Sequence, residues 1–283
     1  MKFGNILRVE HEENLIGRDF IIGDLHGSFH LLMKFMKLIG FNKEKDRIFS
    51  VGDLIDRGVH SFKSLNLINE PWFFVVPGNH EGMFYSFIDP YQDGDWRQGN
   101  SFWSNGGNWI NDYDVIDKKE ELTELAKKLC DFPMVRTIKG KNKVHMIHAE
   151  FSYKIVKKYG TLTDSMIEDP IILQELCETP CWDGKSAHWG RDVFSPYYNI
   201  TLSEKYMKDD MASLYESPDL SLVVSGHTIV KTPIKFGKLL NIDTGAWFCP
   251  RPLTIYDVKL NCLHQVNPDS EDLLSVDPFV VTS

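Results

Sequence analysis

Short apolar runs rich in β-branched and aromatic residues recur through the first third of the chain, and each gives way to a polar side chain: DFIIGD (19–24), DRIFSVGD (46–53) and WFFVVPGNH (72–80). Runs of this length and composition predict strands. Between the first two, Leu31, Leu32, Phe35, Met36 and Ile39 recur at helical spacing, with Ser28 placed to cap the helix and Gly40 to stop it. A strand–helix–strand unit is a crossover, so the first strands are expected to pair in parallel, with functional residues at their carboxyl ends. KKEELTELAKKLCD (118–131) reads as an exposed amphipathic helix with Leu122, Leu125 and Leu129 turned inward.

MVRTIKGKNKVHMIHAE then reads as a hairpin turning near Gly140, and LSLVVSGHT, PIKFGKLLNIDTG and LTIYDVKLNCLHQV follow as strands, so the second half is expected to be mostly antiparallel. The whole predicts an α/β fold of two mixed sheets packed together with helices outside, as one domain over 1–283. From Phe151 to about Asp219, Pro, Tyr and Trp are scattered without a sustained period, which reads as an inserted segment lying over the site. The acidic tail after Pro268 reads as loosely held.

Composition narrows the function classes. A chain of 283 residues, 42% hydrophobic, can bury a core without disulfides or a partner, so a monomer is the expectation. Its net charge of −9 and lack of a basic block argue against nucleic acid as a partner. The five cysteines (Cys130, Cys177, Cys181, Cys249 and Cys262) lack zinc-site spacing and read as reduced, mostly buried thiols of a cytoplasmic protein. The first residues turn acidic before any long apolar run, which is not a signal-peptide pattern, and WFFVV at 72–76 is far too short to cross a bilayer.

Five phrases place polar residues just after an apolar strand: Asp24 and His26, Asp53, Asn79 and His80, His148, and His227. One such histidine is ordinarily satisfied by a backbone carbonyl. Together, carboxylates, imidazoles and an amide oxygen without a nearby thiolate suit divalent ions such as Mn²⁺, Fe²⁺ or Zn²⁺. Two ions about 3.5 Å apart need a bridging carboxylate, for which Asp53 is the candidate. His145 and His148 share a strand and point to opposite faces, so His148, at the strand end, is the candidate ligand and His145 belongs to the core or edge.

The phrases GDLHG (23–27), GDLIDRG (52–58), GNHE (78–81), HAE (148–150) and GHT (226–228), with NGG (105–107), WGR (189–191) and IDTGA (242–246) in order, resemble the calcineurin-like metallophosphoesterases. The DRG makes the set most similar to the PPP family of serine/threonine protein phosphatases, in its short bacterial and phage members. That resemblance implies one metal on Asp24, His26 and Asp53 and a second on Asp53, Asn79, His148 and His227. It implies Mn²⁺ as the cofactor, direct attack by a metal-bridging hydroxide, and no phosphoenzyme. His80 would be the general acid, oriented by Asp56, while Arg57, Arg191 and Asn79 would bind the phosphate. The implied partner is a phosphorylated protein or peptide. Two ions less two aspartates and a hydroxide leave about +1 at the cleft, drawing a phosphate dianion despite the acidic surface.

Pro77 stands where the family usually has arginine before GNHE, so Glu81 must find another partner. A symmetrical dinucleoside tetraphosphate hydrolase is the nearest rival, opposed by Asp56. A nuclease would want a basic track, and a non-catalytic phosphate-binding module would have lost a ligand or His80. Trp182, Trp189, Tyr197 and Tyr198 either line a substrate lip or pack the insertion.

Overall fold

Two β-sheets stacked face to face separate two groups of helices in the computed structural model, which describes residues 4–88, 101–112, 115–179, 185–194 and 213–281. One sheet runs in the order β1-β5-β6-β7-β9-β8-β13, using Ile6–His11, Pro133–Ile138, Val144–Ile147, Leu222–Ser225, Leu239–Asn241, Ile234–Phe236 and Phe279–Val281. The other runs β12-β11-β10-β2-β3-β4, using Leu273–Val276, Cys262–Val266, Leu253–Asp257, Asp19–Ile22, Arg47–Ser50 and Phe73–Val75.

Alternation along the strands shows why the runs are apolar on both faces. Phe20 and Ile22 of β2 join the core under α1 (Phe29–Leu38), α2 (Ser61–Asn66), α3 (Asn79–Ile88) and α4 (Lys119–Leu129), whereas Ile21 joins the layer between the sheets. Met146 of β6 likewise faces the inter-sheet layer, and its neighbour Ile147 faces the core under α5 (Tyr153–Tyr159), α6 (Asp164–Glu168), α7 (Pro170–Glu178) and α8 (Ser186–Trp189). A strand covered on both sides has no solvent face to keep polar. In α1, Leu31, Leu32, Phe35 and Met36 are buried as the spacing predicts, although Ser28 makes no side-chain cap.

β2, β3 and β4 pair in parallel, and β5 and β6 form the antiparallel hairpin around Gly140. The second half is mostly antiparallel, as expected, with three parallel pairs among it. β6–β7, β7–β9 and β8–β13 are parallel, while β8–β9 and β10–β11–β12 are antiparallel. The parallel β6–β7 step needs a crossover, and the 151–219 stretch supplies it through α5 to α8. These helices have four to nine residues, too few for a sustained period to be read. The tail after Pro268 is not loose either, since β12 adds to β11 and β13 to β8.

β4 ends at Val75, so Asn79 and His80 open α3 instead of closing a strand. Cys130 and Cys177 are buried, but Cys249 is exposed and Cys262 half-buried. Cys181, Trp182, Tyr197 and Tyr198 lie outside the described residues. No helix among the described residues is long and apolar enough to cross a membrane.

Candidate metal centre and active site

The carboxyl ends of β2, β3, β4, β6 and β7 come to one side of the sandwich, and tight backbone links lock their loops together. Leu25 and His26 N–H both donate to Asp53 C=O, at 3.0 and 2.7 Å, and Gly226 N–H donates to His148 C=O at 2.8 Å. His26, Asp53, Asp56, Arg57 and His227 all have positive φ, from 40° to 72°. Non-glycine residues held there cost of order 1–3 kcal/mol each, so the surrounding fold must enforce the geometry. Two glycines are required by close approach: a Cβ on Gly78 would lie 2.1 Å from Asp53 Oδ1, and one on Gly226 would lie 1.9 Å from Asp24 Oδ1.

Ligand atoms of His26, Asp53 and His80 lie within 4.8 Å of one another, as do those of Asp53, His148 and His227, and all five residues are buried. Asp53 is common to both groups. His148 Nδ1–H donates to Val51 C=O at 2.8 Å, which leaves Nε2 as the lone-pair nitrogen. That atom faces Asn79 Oδ1 at 3.1 Å, His227 Nδ1 at 3.2 Å and Asp53 Oδ1 at 3.4 Å. Burial, reinforced by Arg191 and Arg57, lowers His148 to about 3, so no proton occupies Nε2 at neutral pH. Oxygen and nitrogen lone pairs converging on one point, with His227 Nε2 buried and unpartnered among the described residues beside them, fit a cation.

His26 repeats the device, with Nδ1–H donating to Ile55 C=O at 2.7 Å and Nε2 lying 3.5 Å from Asp53 Oδ2. Arg57 closes this group: Nη1 donates to His26 Nε2 at 2.7 Å and Nη2 to His80 Nε2 at 2.9 Å. The Trp247 ring lies 5.3 Å from its guanidinium carbon. His80 Nδ1–H donates to Asp56 Oδ2 at 2.5 Å, and Trp109 Nε1–H donates to Asp56 Oδ1 at 2.7 Å.

Burial disfavours charge on the carboxylates of the site. Burial pushes Asp53 and Glu81 up to about 7 and Asp243 to about 6. Asp24 is pushed well up by burial and then by the negative charges of Asp243 and Asp53. A divalent ion would reverse each of these shifts.

Residues 20–231 match the model of the calcineurin-like phosphoesterase family. The chain belongs to that family. It is thereby a phosphoester hydrolase of a class that uses divalent metals. It is 28% identical over 246 residues to serine/threonine-protein phosphatase 2 of Salmonella typhimurium (strain LT2), covering 85% of this chain and 92% of that one. It is 24% identical over 245 residues to the asymmetrical bis(5'-nucleosyl)-tetraphosphatase of Bacillus cereus (strain Q1), covering 81% and 85%. A solved protein serine/threonine phosphatase from Saccharomyces cerevisiae shares the fold with a TM-score of 0.55 at 16% identity, over 98% of this chain and 84% of that one.

Within this phosphoesterase, most residues singled out in the sequence lie together. Asp24 belongs to neither ligand group, yet it adjoins them: its two oxygens accept His227 N–H at 3.1 and 3.0 Å, and it feels the charges of Asp243 and Asp53. Arg191 is half-buried, and its charge is felt at Asp53, His148, His227 and Asp243. The Trp189 ring lies 6.1 Å from that of His227. His145 is buried away from the metal groups, bonded to Thr137 and Asp164.

The concern raised by Pro77 is resolved by backbone donors: Glu81 accepts N–H from Asp53, Leu54 and Gly78 at 2.8–2.9 Å, stitching the GDLIDRG loop to the start of α3. Four further residues are not foreseen from the motifs. Glu150 accepts Val193 and Phe194 N–H, each at 2.9 Å, and so anchors the segment carrying Arg191. Trp109, Trp247 and Asp243 touch or neighbour the site; Asp243 is the aspartate of IDTGA and Glu150 the glutamate of HAE, though neither is assigned a role from the sequence, while the tryptophans have only their proximity to NGG and IDTGA as a signal.

Proposed function

We propose that the chain hydrolyses phosphoserine and phosphothreonine in proteins, with Asp24, His26 and Asp53 serving one metal and Asp53, Asn79, His148 and His227 the other. The observation that carries the reading is the convergence of His148, Asn79, His227 and Asp53 beside the His80–Asp56 pair, with Arg57 between. Mixed oxygen and imidazole donors without thiolate favour Mn²⁺, with Fe or Zn as alternatives. Divalent ions there would polarise the phosphoryl oxygens and make water nucleophilic at neutral pH.

The side chains divide the remaining work. Arg57 and Arg191 donate to phosphoryl oxygens, joined by the Asn79 amide. When the Arg57 guanidinium turns to the phosphate, His80 Nε2 is released toward the leaving oxygen. Burial and the nearby charges of His26 and Arg57 hold His80 well below its ordinary range, and an incoming phosphate dianion opposes that trend. With the phosphate bound, His80 takes a proton from solvent at Nε2 and gives it to the departing alkoxide, while Asp56 keeps Nδ1–H engaged.

The serine/threonine reading draws on the Salmonella relative, which spans nearly the whole chain, and on the DRG phrase. The Bacillus relative favours a second reading, dinucleoside tetraphosphate hydrolysis at the same site. We further read the chain as a cytoplasmic monomer, one domain with the 151–219 segment inserted, acting on no nucleic acid.

Metal-stripped protein is expected to leave p-nitrophenyl phosphate intact, and Mn²⁺ to restore turnover. His80→Asn should lower turnover without lowering metal content. Activity that survives chelation, or a mutant that fails only by losing its ions, contradicts these roles. Parallel assays on phosphopeptides and a dinucleoside tetraphosphate separate the two substrates.

A further inference from the structure

We propose that Trp109 is a positioning residue for the hydrolysis: its indole N–H fixes the Asp56 carboxylate and, through it, the imidazole of His80. This rests on His80 as the general acid. Among the described residues, Trp109 and His80 are the side chains that donate to Asp56, one to each oxygen. Asp56 is fully buried at a φ of 72°, so its carboxylate has no water to trade partners with. Two opposed donors fix its plane, and its plane fixes the ring of His80.

Trp109 is mounted on the same rigid body as His80. It lies in the 3₁₀ turn Gly107–Asn111, with its ring 5.7 Å from Phe84 and 6.3 Å from Phe102. Phe84 is one turn along α3 from His80, so both ends of the Trp109–Asp56–His80 relay are referenced to one helix. Two residues earlier in sequence than the turn's second position, Gly106 C=O accepts Arg57 N–H at 3.2 Å. The 106–109 segment therefore holds the backbone of Arg57 and the side chain of Asp56 at once.

During hydrolysis water supplies the new P–O bond and gives up a proton to solvent, the old P–O bond breaks with its electron pair left on the leaving oxygen, that oxygen takes the His80 Nε2 proton, and His80 is reprotonated from solvent. Proton donation matters in proportion to the basicity of the leaving oxygen. A misplaced His80 therefore costs much with phenyl phosphate and little with 2,4-dinitrophenyl phosphate. A general structural defect costs both alike.

The test measures kcat and KM on both esters for wild type, His80→Asn and Trp109→Phe, with metal content and far-ultraviolet circular dichroism checked for each. Trp109→Phe is expected to lower kcat on phenyl phosphate about 10-fold, with a loss on the dinitrophenyl ester several-fold smaller and KM nearly unchanged. His80→Asn should show the same skew, more deeply. Equal losses on the two esters in Trp109→Phe, beside a skewed His80→Asn, overturn the positioning role alone. No skew in His80→Asn removes the general acid, and the role of Trp109 with it. If Trp109→Phe does not fold, site-specific 3-benzothienylalanine at 109, which keeps the ring shape and lacks the N–H, must reproduce the skew or the proposal fails.

Discussion

Two buried histidines of this chain each meet an aspartate, and they end differently. His80 gives Nδ1–H to Asp56 and keeps Nε2 toward Arg57, with Asp53 Oδ2 at 3.9 Å. His145 has neither nitrogen to spare: Nε2–H donates to Asp164 at 3.1 Å, and Nδ1 accepts from Thr137, its cross-strand neighbour, at 2.9 Å. Both rings are almost fully buried. A carboxylate neighbour therefore does not mark a reactive imidazole. What marks it is a second nitrogen held by a guanidinium at the site, Arg57, instead of by a fixed neighbour in the same sheet.

The strongest way to break this contrast is to truncate both pairs. Asp56→Asn and His80→Asn are expected to lower turnover of an unactivated phosphate ester by about 100-fold or more, the ordinary contribution of a general acid. His145→Asn should leave turnover within a few-fold of wild type. Turnover measured at saturating Mn²⁺ decides it, and an equal loss in both pairs would erase the distinction.

A third carboxylate sharpens the comparison because it has no imidazole at all. Glu81 is fully buried and accepts three backbone N–H bonds, so Glu81→Gln replaces an acceptor with a donor facing at least one N–H. A loss of about 2 kcal/mol in urea unfolding is expected, since a buried donor is left unpaired. Mn²⁺ affinity read by calorimetry should fall as well, because the same bonds fix Asp53.

Much of this was legible from spacing. The apolar runs at 19–24 and 46–53 mark β2 and β3, and the polar residues following them mark the loops that meet. Two-residue alternation separates His148 from His145 in the sequence, and β6 alternates, with Val144 and Met146 in the layer between the sheets and Ile147 in the core under the second group of helices. What escaped depends on contacts between distant segments. Trp109 lies 53 residues from Asp56, and nothing local distinguishes its indole from any packed tryptophan. The partners of Glu81 are backbone amides, which carry no residue code. The helices of the crossover are each too short to show a period, and β1 and β13 are edge strands: no residue of β1 is fully buried, and Phe279 and Val280 are exposed.

His145→Asn is the next smaller effect, a stability loss of about 1–2 kcal/mol from the unpaired Thr137 and Asp164 groups, measurable in the same urea titration.

The smallest effect concerns the pH dependence of that structural pair. Burial alone would raise the Asp164 carboxyl, but hydrogen bonds from His145, Ser221 and Lys143 outweigh it and hold the group well below its ordinary 3.8. A carboxyl depressed on folding is less protonated in the native state than in the unfolded one. Its stabilising contribution is therefore complete above pH 3.8 and is lost as pH falls below that value toward the native pKa. Asp164→Asn should be less stable than wild type by about 1 kcal/mol at pH 7, where the hydrogen bonds are charge-assisted. The gap should be unchanged at pH 5 and shrink below pH 3.8, read from urea midpoints at each pH. A gap that persists undiminished into acid would mean the carboxylate's charge plays no part in holding the pair.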